Sequence, residues 1–361
     1  MHRSAHCTGA EHLASELKNR TMQTRKLGRN GPLVSAIGLG CMAFSGTYGP
    51  TTEPESIATI RAAVDAGITL LDTGDFYGMG HNEMLLQKAL AGRPRDSYFL
   101  SVKFGGMRTP NGTFIGFDAR PSAVKNFLSY SLRRLGTDYL DLYFPSRVDP
   151  NVPIDDTIGA IAEMVKAGYV RQIGLSEASS ETIRRASSVH PIAVLQIEYS
   201  LVSRNVERDI LPVLRELGVG LVAYGIFSRG LLTGSVPSRE SAAHGDIRGH
   251  FPRFHAANLE KNAQLIARLH EIAARHGIGV PQLAMAWVLS RGDDVIPLAG
   301  VRNREQLADA LKAVNLALST EALAAVESEI PPSAVVGERY GPEQMAALDS
   351  EREAAKASRK Q

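Results

Sequence analysis

Residues 70–78 read LLDTGDFYG. Two leucines run into Asp72, then Asp75, then Tyr77. A buried strand should continue apolar, and a simple turn should carry Gly, Asn or Pro. Acids and a phenol closing an apolar run instead fit a strand whose C-terminal end opens on a working surface. Which surface that is depends on the neighbouring elements.

Eight β-prone runs recur along the chain: residues 35–42, 68–74, 98–104, 139–144, 170–176, 194–200, 220–226 and 295–300. Helical patterns lie between them. Thr52 and Glu55 have capping-box spacing, with Pro54 in the first turn, and Ile57, Ile60 and Val64 share one face before Gly67. Val124, Leu128, Leu132 and Leu135 form a stripe from Pro121 to Gly136. Strands alternating with helices over short links predict a parallel sheet covered by helices, and eight such units close into a (β/α)8 TIM barrel. A doubly wound open sheet is the second choice, but no G-x-G-x-x-G follows the first run. An N-terminal β-hairpin around Asn30-Gly31 is expected to plug the barrel bottom. Two extra helices, about 259–276 and 281–290, precede the eighth strand, and a further helix follows it. The expected organisation is a flexible extension over residues 1–22, one barrel domain over 23–345 and a polar tail or surface helix over 346–361.

Bulk properties narrow the function. Hydrophobic residues are 44% of 361, charged residues 22%, and net charge is +2. That balance is ordinary for a globular protein and supplies no electrostatic case for nucleic acid or an anionic membrane. No apolar run has the length of a bilayer span. The two cysteines, Cys7 and Cys41, are too few for a disulfide framework and fit a cytoplasmic location. His2, His6, Cys7 and His12 match no tetrahedral zinc spacing, so no metal is expected. Monomer and homo-oligomer are both compatible with the sequence.

In a (β/α)8 barrel the C-terminal strand ends build the active site. Asp72, Asp75 and Tyr77 close the second such run; the third contributes Lys103, inside the apolar stretch LSVKFG. A lysine there is costly unless paired. A structural Lys–Asp ion pair would explain either residue alone. With a tyrosine nearby, an ammonium held by a carboxylate would favour phenolate and lower the tyrosine pKa, giving a proton donor that works near neutral pH.

These residues resemble the aldo-keto reductase superfamily over nearly all of 23–330. LLDTGDFYGMGHNE is similar to its Asp-Thr-Ala-x-x-Tyr-Gly signature, with Gly74 at the usual Ala. Lys103, IGLSE, LQIEYS and VAYGIFSRGLLTG fall in order on the expected strands, and RVDPNVPIDDT resembles the bacterial and plant branch. The resemblance implies reduction of a ketone or aldehyde of a small molecule, with NADPH as cofactor and NADH as an alternative. It makes Tyr77 the general acid, Lys103 its partner and Asp72 the lysine's anchor. It places Ser176 and Gln196 on the nicotinamide carboxamide and Tyr224 against its ring. Gly225, Phe227 and Arg229 fall in the pyrophosphate loop, and Gly40 and Met42 beside the ribose. Gly300, Arg302, Arg304, Gln306 and Asp309 fall in the adenosine-phosphate region. Asp75 receives no role from it.

Two departures stand out. The superfamily's histidine after the fourth barrel strand is here Ser146, preceded by Pro145. After the eighth, Val301, Gln306 and Ala310 replace the usual Thr, Arg and Asn, while Arg302 and Asp309 remain and Arg304 is an added cation. The short serine is expected to leave an enlarged substrate pocket. Two further readings compete: a cofactor-binding, redox-sensing barrel with little turnover, and a reductase of conjugated C=C bonds.

Overall fold

The computed structural model describes residues 22–237 and 246–352. The expectations that involve His2, His6, Cys7 and His12 lie outside them.

A short antiparallel hairpin opens the fold, β1 (Thr24–Lys26) against β2 (Leu33–Ser35). The barrel strands are β3 (Gly38–Gly40), β4 (Leu70–Gly74), β5 (Phe99–Phe104), β8 (Leu140–Pro145), β9 (Val170–Ser176), β10 (Ile192–Glu198), β11 (Gly220–Tyr224) and β12 (Val295–Gly300). They close in the order β10-β11-β12-β3-β4-β5-β8-β9, all neighbours parallel. The eight β-prone runs are these eight strands. Between β5 and β8 the chain makes a second hairpin, β6 (Gly106–Arg108) with β7 (Phe114–Phe117), in a stretch the sequence reads as loop.

Period-two alternation sorts each strand's side chains between two cores. Leu70, Phe99, Leu142, Phe144, Val194, Val222, Ile296 and Leu298 fill the barrel interior. Leu27 and Val34 of the first hairpin join that cluster, so the hairpin plugs the barrel as its sequence implies. The alternate residues, among them Leu71, Leu100, Val102, Leu195 and Leu221, pack outward under the helices. Up the interior face the residues turn polar: Asp72, Ser101, Lys103 and Gln196 are all buried. An apolar floor thus carries a polar layer near the strand C-termini.

Helices follow each strand, including Glu53–Asp65, Pro121–Leu135 and Ile154–Lys166. The Pro121–Leu135 helix ends at Gly136, whose φ of 65° is the left-handed stop that glycine adopts without a Cβ clash. Ala256–Arg275 and Val280–Leu289 are the extra pair before β12. The capping box at Thr52 forms only in part. The Glu55 N–H donates to Thr52 Oγ1 at 3.4 Å, but the Glu55 carboxylate turns to Arg304.

The C-terminal end differs from the expected tail as far as Arg352. Leu348, Asp349 and Ser350 are buried. The Ser350 N–H donates to the Glu177 carbonyl at 3.0 Å, and the Ser179 N–H to Asp349 Oδ2 at 2.8 Å. Polar composition concealed the docking because the buried groups are polar ones paired to the barrel rim.

Candidate active site

Asp72 is the hub of the polar layer. Its Oδ1 accepts from Lys103 Nζ at 2.5 Å; its Oδ2 accepts from Ser101 Oγ at 2.8 Å and from Gln196 Nε2 at 2.7 Å. Ser101 is its register partner on β5. Gln196 lies on β10, on the opposite side of the closed barrel. A closed barrel alone brings these two together, and the three donors satisfy a carboxylate that burial would otherwise penalise. Burial pulls the Lys103 pKa down, while the Asp72 charge and hydrogen bond oppose the fall.

Tyr77 stands beside this pair. The Lys103 ammonium is 5.2 Å from the centroid of its ring, and the phenol makes no hydrogen bond among the described residues. The turn carrying it is sharply wound: Gly78, Met79 and Gly80 all have left-handed φ, at 57°, 55° and 94°. The two glycines take this without strain, whereas Met79 takes it at a cost. Asn82 staples the turn to the end of β3, donating to the Cys41 carbonyl and Ser45 Oγ and accepting from Thr73 Oγ1. The expected lowering of the Tyr77 pKa is not what the protein does. Burial raises it well above its ordinary value, the Asp72 charge adds to that, and Arg147 opposes it. The tyrosine is therefore held protonated.

A cavity of about 560 Å³ opens over Asp72, Tyr77 and Lys103 at the C-terminal strand ends. Gly40, Met42, Gln196, Tyr224, Gly225, Phe227 and Arg229 line it, as do Gly300, Arg302, Gln306 and Asp309. Ser176 is Gln196's register partner on β9, behind that wall, and its buried hydroxyl has no partner among the described residues. The loop after β11 winds through successive tight turns, and Ser228 and Arg229 sit at φ 47° and 56°. Strain of this kind concentrates at ligand clamps.

Of the expected site residues, Arg304, Ser146 and Ser176 are absent from the cavity wall, and Arg229 reaches it with its guanidinium turned away. Arg304 is absent from the cavity wall because Glu55 holds it through both carboxylate oxygens. Ser146 is also absent: it is 1% exposed, with its hydroxyl buried and unpartnered, so no enlarged pocket opens there. Arg229 reaches the wall, but its guanidinium turns inward to Glu198 at 3.0 Å, between the rings of Phe251 and Tyr340. Arg147 and Tyr340 are among the lining residues that escaped the sequence reading. Arg147 was visible only as part of RVDP, beside the more conspicuous Ser146. Tyr340 lies far along the chain, and docking of the C-terminal segment brings it to the mouth. Neighbouring Arg339 donates to both oxygens of Glu177, at 2.8 and 2.6 Å. Burial alone would raise the Glu177 pKa; the Arg339 charge overrides it and holds the carboxyl well below the usual range. Tyr224 donates to the same carboxylate at 2.6 Å.

Known proteins resemble this chain in sequence and in fold. The Aldo/keto reductase family profile matches residues 36–330. Probable aldo-keto reductase 1 of Glycine max is 39% identical over 320 residues, which span 88% of this chain and 92% of that protein. The structure of the glycerol dehydrogenase AKR11B4 from Gluconobacter oxydans superposes with a TM-score of 0.77 at 29% identity, covering 86% of this chain and 96% of that one. The aldo-keto reductase AKR11C1 from Bacillus halodurans, in its holo form, gives 0.71 at 27% identity, covering 89% and 100%. No described helix is long and apolar enough to cross a membrane. With its barrel, its buried lysine–aspartate pair and a tyrosine on the cavity wall, the chain belongs to the aldo/keto reductase family, oxidoreductases that act on small carbonyl compounds with NAD(P)H.

Proposed function

We propose that this protein reduces a ketone or aldehyde of a small organic molecule to the alcohol, with NADPH as the preferred reductant and Tyr77 as the proton donor. The observation that carries this is the buried Asp72–Lys103 pair beside Tyr77 on the wall of one cavity. When bound in this cavity, a nicotinamide would supply the hydride that the carbonyl carbon takes up. Tyr77 supplies the proton to the oxygen, and its raised pKa keeps that proton in place until charge develops on the acceptor. Lys103 then stabilises the phenolate left behind. Asp72 fixes the lysine's position and charge, and Gln196 and Ser101 fix Asp72. Ser176 would hold the carboxamide and Tyr224 would face the ring. Gly40 and Met42 would border the ribose, and Gly225, Phe227 and Arg229 the pyrophosphate.

The test is NADPH oxidation against a panel of aldehydes, ketones and enones. Tyr77→Phe should lower turnover about 10²- to 10⁴-fold, with NADPH affinity retained. Full activity in that variant refutes the mechanism. Absence of turnover on every member would favour the redox-sensing reading, and turnover confined to enones the C=C reductase.

The NADPH preference rests on Arg302. It lines the cavity and spends one donor on the Tyr48 carbonyl at 3.0 Å, leaving others for a 2′-phosphate. Arg304, held by Glu55, adds little. Arg302→Ala should cut the NADPH-to-NADH ratio of kcat/KM about tenfold or more. An unchanged ratio removes Arg302 from the phosphate site.

A further inference from the structure

Five cationic side chains line the cavity: Lys103, Arg147, Arg229, Arg248 and Arg302. Three have carboxylate partners: Lys103 with Asp72, Arg229 with Glu198 and Arg248 with Asp246. Arg147 and Arg302 have none within ion-pair distance among the described residues. They belong to different parts of the cavity. Arg302 follows β12, where the proposed function assigns it to a cofactor phosphate. Arg147 follows β8, whose Phe144–Pro145 end pairs with Lys103–Phe104 of β5, and it lines the cavity together with Tyr77 and Lys103, so it stands at the reacting end.

A partly buried cation beside a cavity is normally matched by an anion. Among the described residues Arg147 has no acid within ion-pair distance. One N–H donates to the Ser146 carbonyl at 2.6 Å and another to the Tyr340 hydroxyl at 3.2 Å. A guanidinium carries five such donors, so three remain. Glu177 is the nearby acid, but its carboxylate is already occupied by Arg339, Tyr224 and Ser350. The bonds to Ser146 and Tyr340 restrain the guanidinium, so less entropy is lost when it grips a ligand.

We propose that Arg147 is a specificity-determining residue that binds a carboxylate on the substrate, so that the preferred carbonyl compounds are oxo acids. The inference rests on the reductase reading above. A planar guanidinium fork matches a carboxylate bidentately, and the cation lines the same cavity as the proton donor, so one small molecule can present an acid to the first and a carbonyl to the second.

The test compares phenylglyoxylate with its methyl ester, which differ in the charge of one group. Wild type should favour the acid in kcat/KM by about 10- to 100-fold. Arg147→Met should collapse that ratio toward one, chiefly through KM for the acid, and Arg147→Lys should keep part of it. A wild-type ratio near one, or equal loss on acid and ester in Arg147→Met, overturns the proposal; equal loss would mean that the cation acts on the reacting oxygen instead. Calorimetric titration of benzoate into the NADP⁺-loaded protein gives a readout without turnover. Binding weakened at least tenfold by Arg147→Met supports the anchor even if no carbonyl is reduced, in which case the reductase reading alone falls. Benzoate binding that is absent, or indifferent to the variant, counts against the anchor even if carbonyls are reduced.

Discussion

Asp75 shows how the opening stretch divides its two acids. Asp72 meets a lysine, a serine and a glutamine across the barrel. Asp75, three residues on, accepts from the Gly105 N–H at a long 3.3 Å, and its Oδ1 has no partner among the described residues. Burial pushes its pKa up to about 7, and the nearby Glu83 charge adds to the rise. The folded state therefore holds a proton that the unfolded chain releases near pH 4. Below that both states are protonated and nothing is lost. As pH rises from about 4 to 7 the folded state becomes relatively less stable, by on the order of 2–4 kcal/mol in all. Asp75→Asn removes the titration. Thermal unfolding from about pH 5 to 8 should show the variant gaining on wild type as pH rises. Parallel curves for the two proteins would show that Asp75 ionises normally in the fold.

At the scale of elements, the N-terminal hairpin is tied to the barrel base by one side chain. Arg25 donates to the carbonyls of Leu289, Gly292 and Val295, at 2.8, 2.8 and 2.5 Å. These belong to the end of the Val280–Leu289 helix, the turn after it and the start of β12. Arg25→Met keeps much of the apolar stem but removes a donor from each of the three carbonyls. We expect a loss of about 2–4 kcal/mol in urea unfolding, at unchanged m-value. A loss under about 0.5 kcal/mol would mean that the hairpin unfolds apart from the barrel. The sequence marks this hairpin by Asn30-Gly31 between β-prone segments, but nothing local in it says what the arginine would meet.

For the whole molecule, the C-terminal segment completes the mouth. Arg339 ties it to Glu177, and Tyr340 then joins Arg147, Tyr224 and Arg229 around the cavity. Removing one member of a buried ion pair strands the other, at a cost of about 3–5 kcal/mol. In Arg339→Met we expect local release of the segment ahead of global unfolding. Hydrogen exchange over residues 337–351 should rise by at least tenfold while β4 and β5 stay protected. Equal protection in both proteins would show that other contacts hold the segment.

What the sequence determined by itself is the repeating part of this protein. Each strand and most helices are set by local alternation and short-range stops, and their eightfold recurrence leaves the barrel as the economical way to bury both sheet faces. Asp72, Tyr77 and Lys103 were legible for the same reason, since polar groups at the ends of apolar runs break a local rule. Tertiary structure decided which charges meet. Gln196 reaches Asp72 only because the sheet closes, Glu55 diverts Arg304 from the cavity, and burial reverses the expected shift at Tyr77. Ser146 is packed away from the cavity, while its neighbour Arg147 lines it. Electrostatic partners and desolvation depend on distance in space, and residues more than a hundred positions apart supply them here.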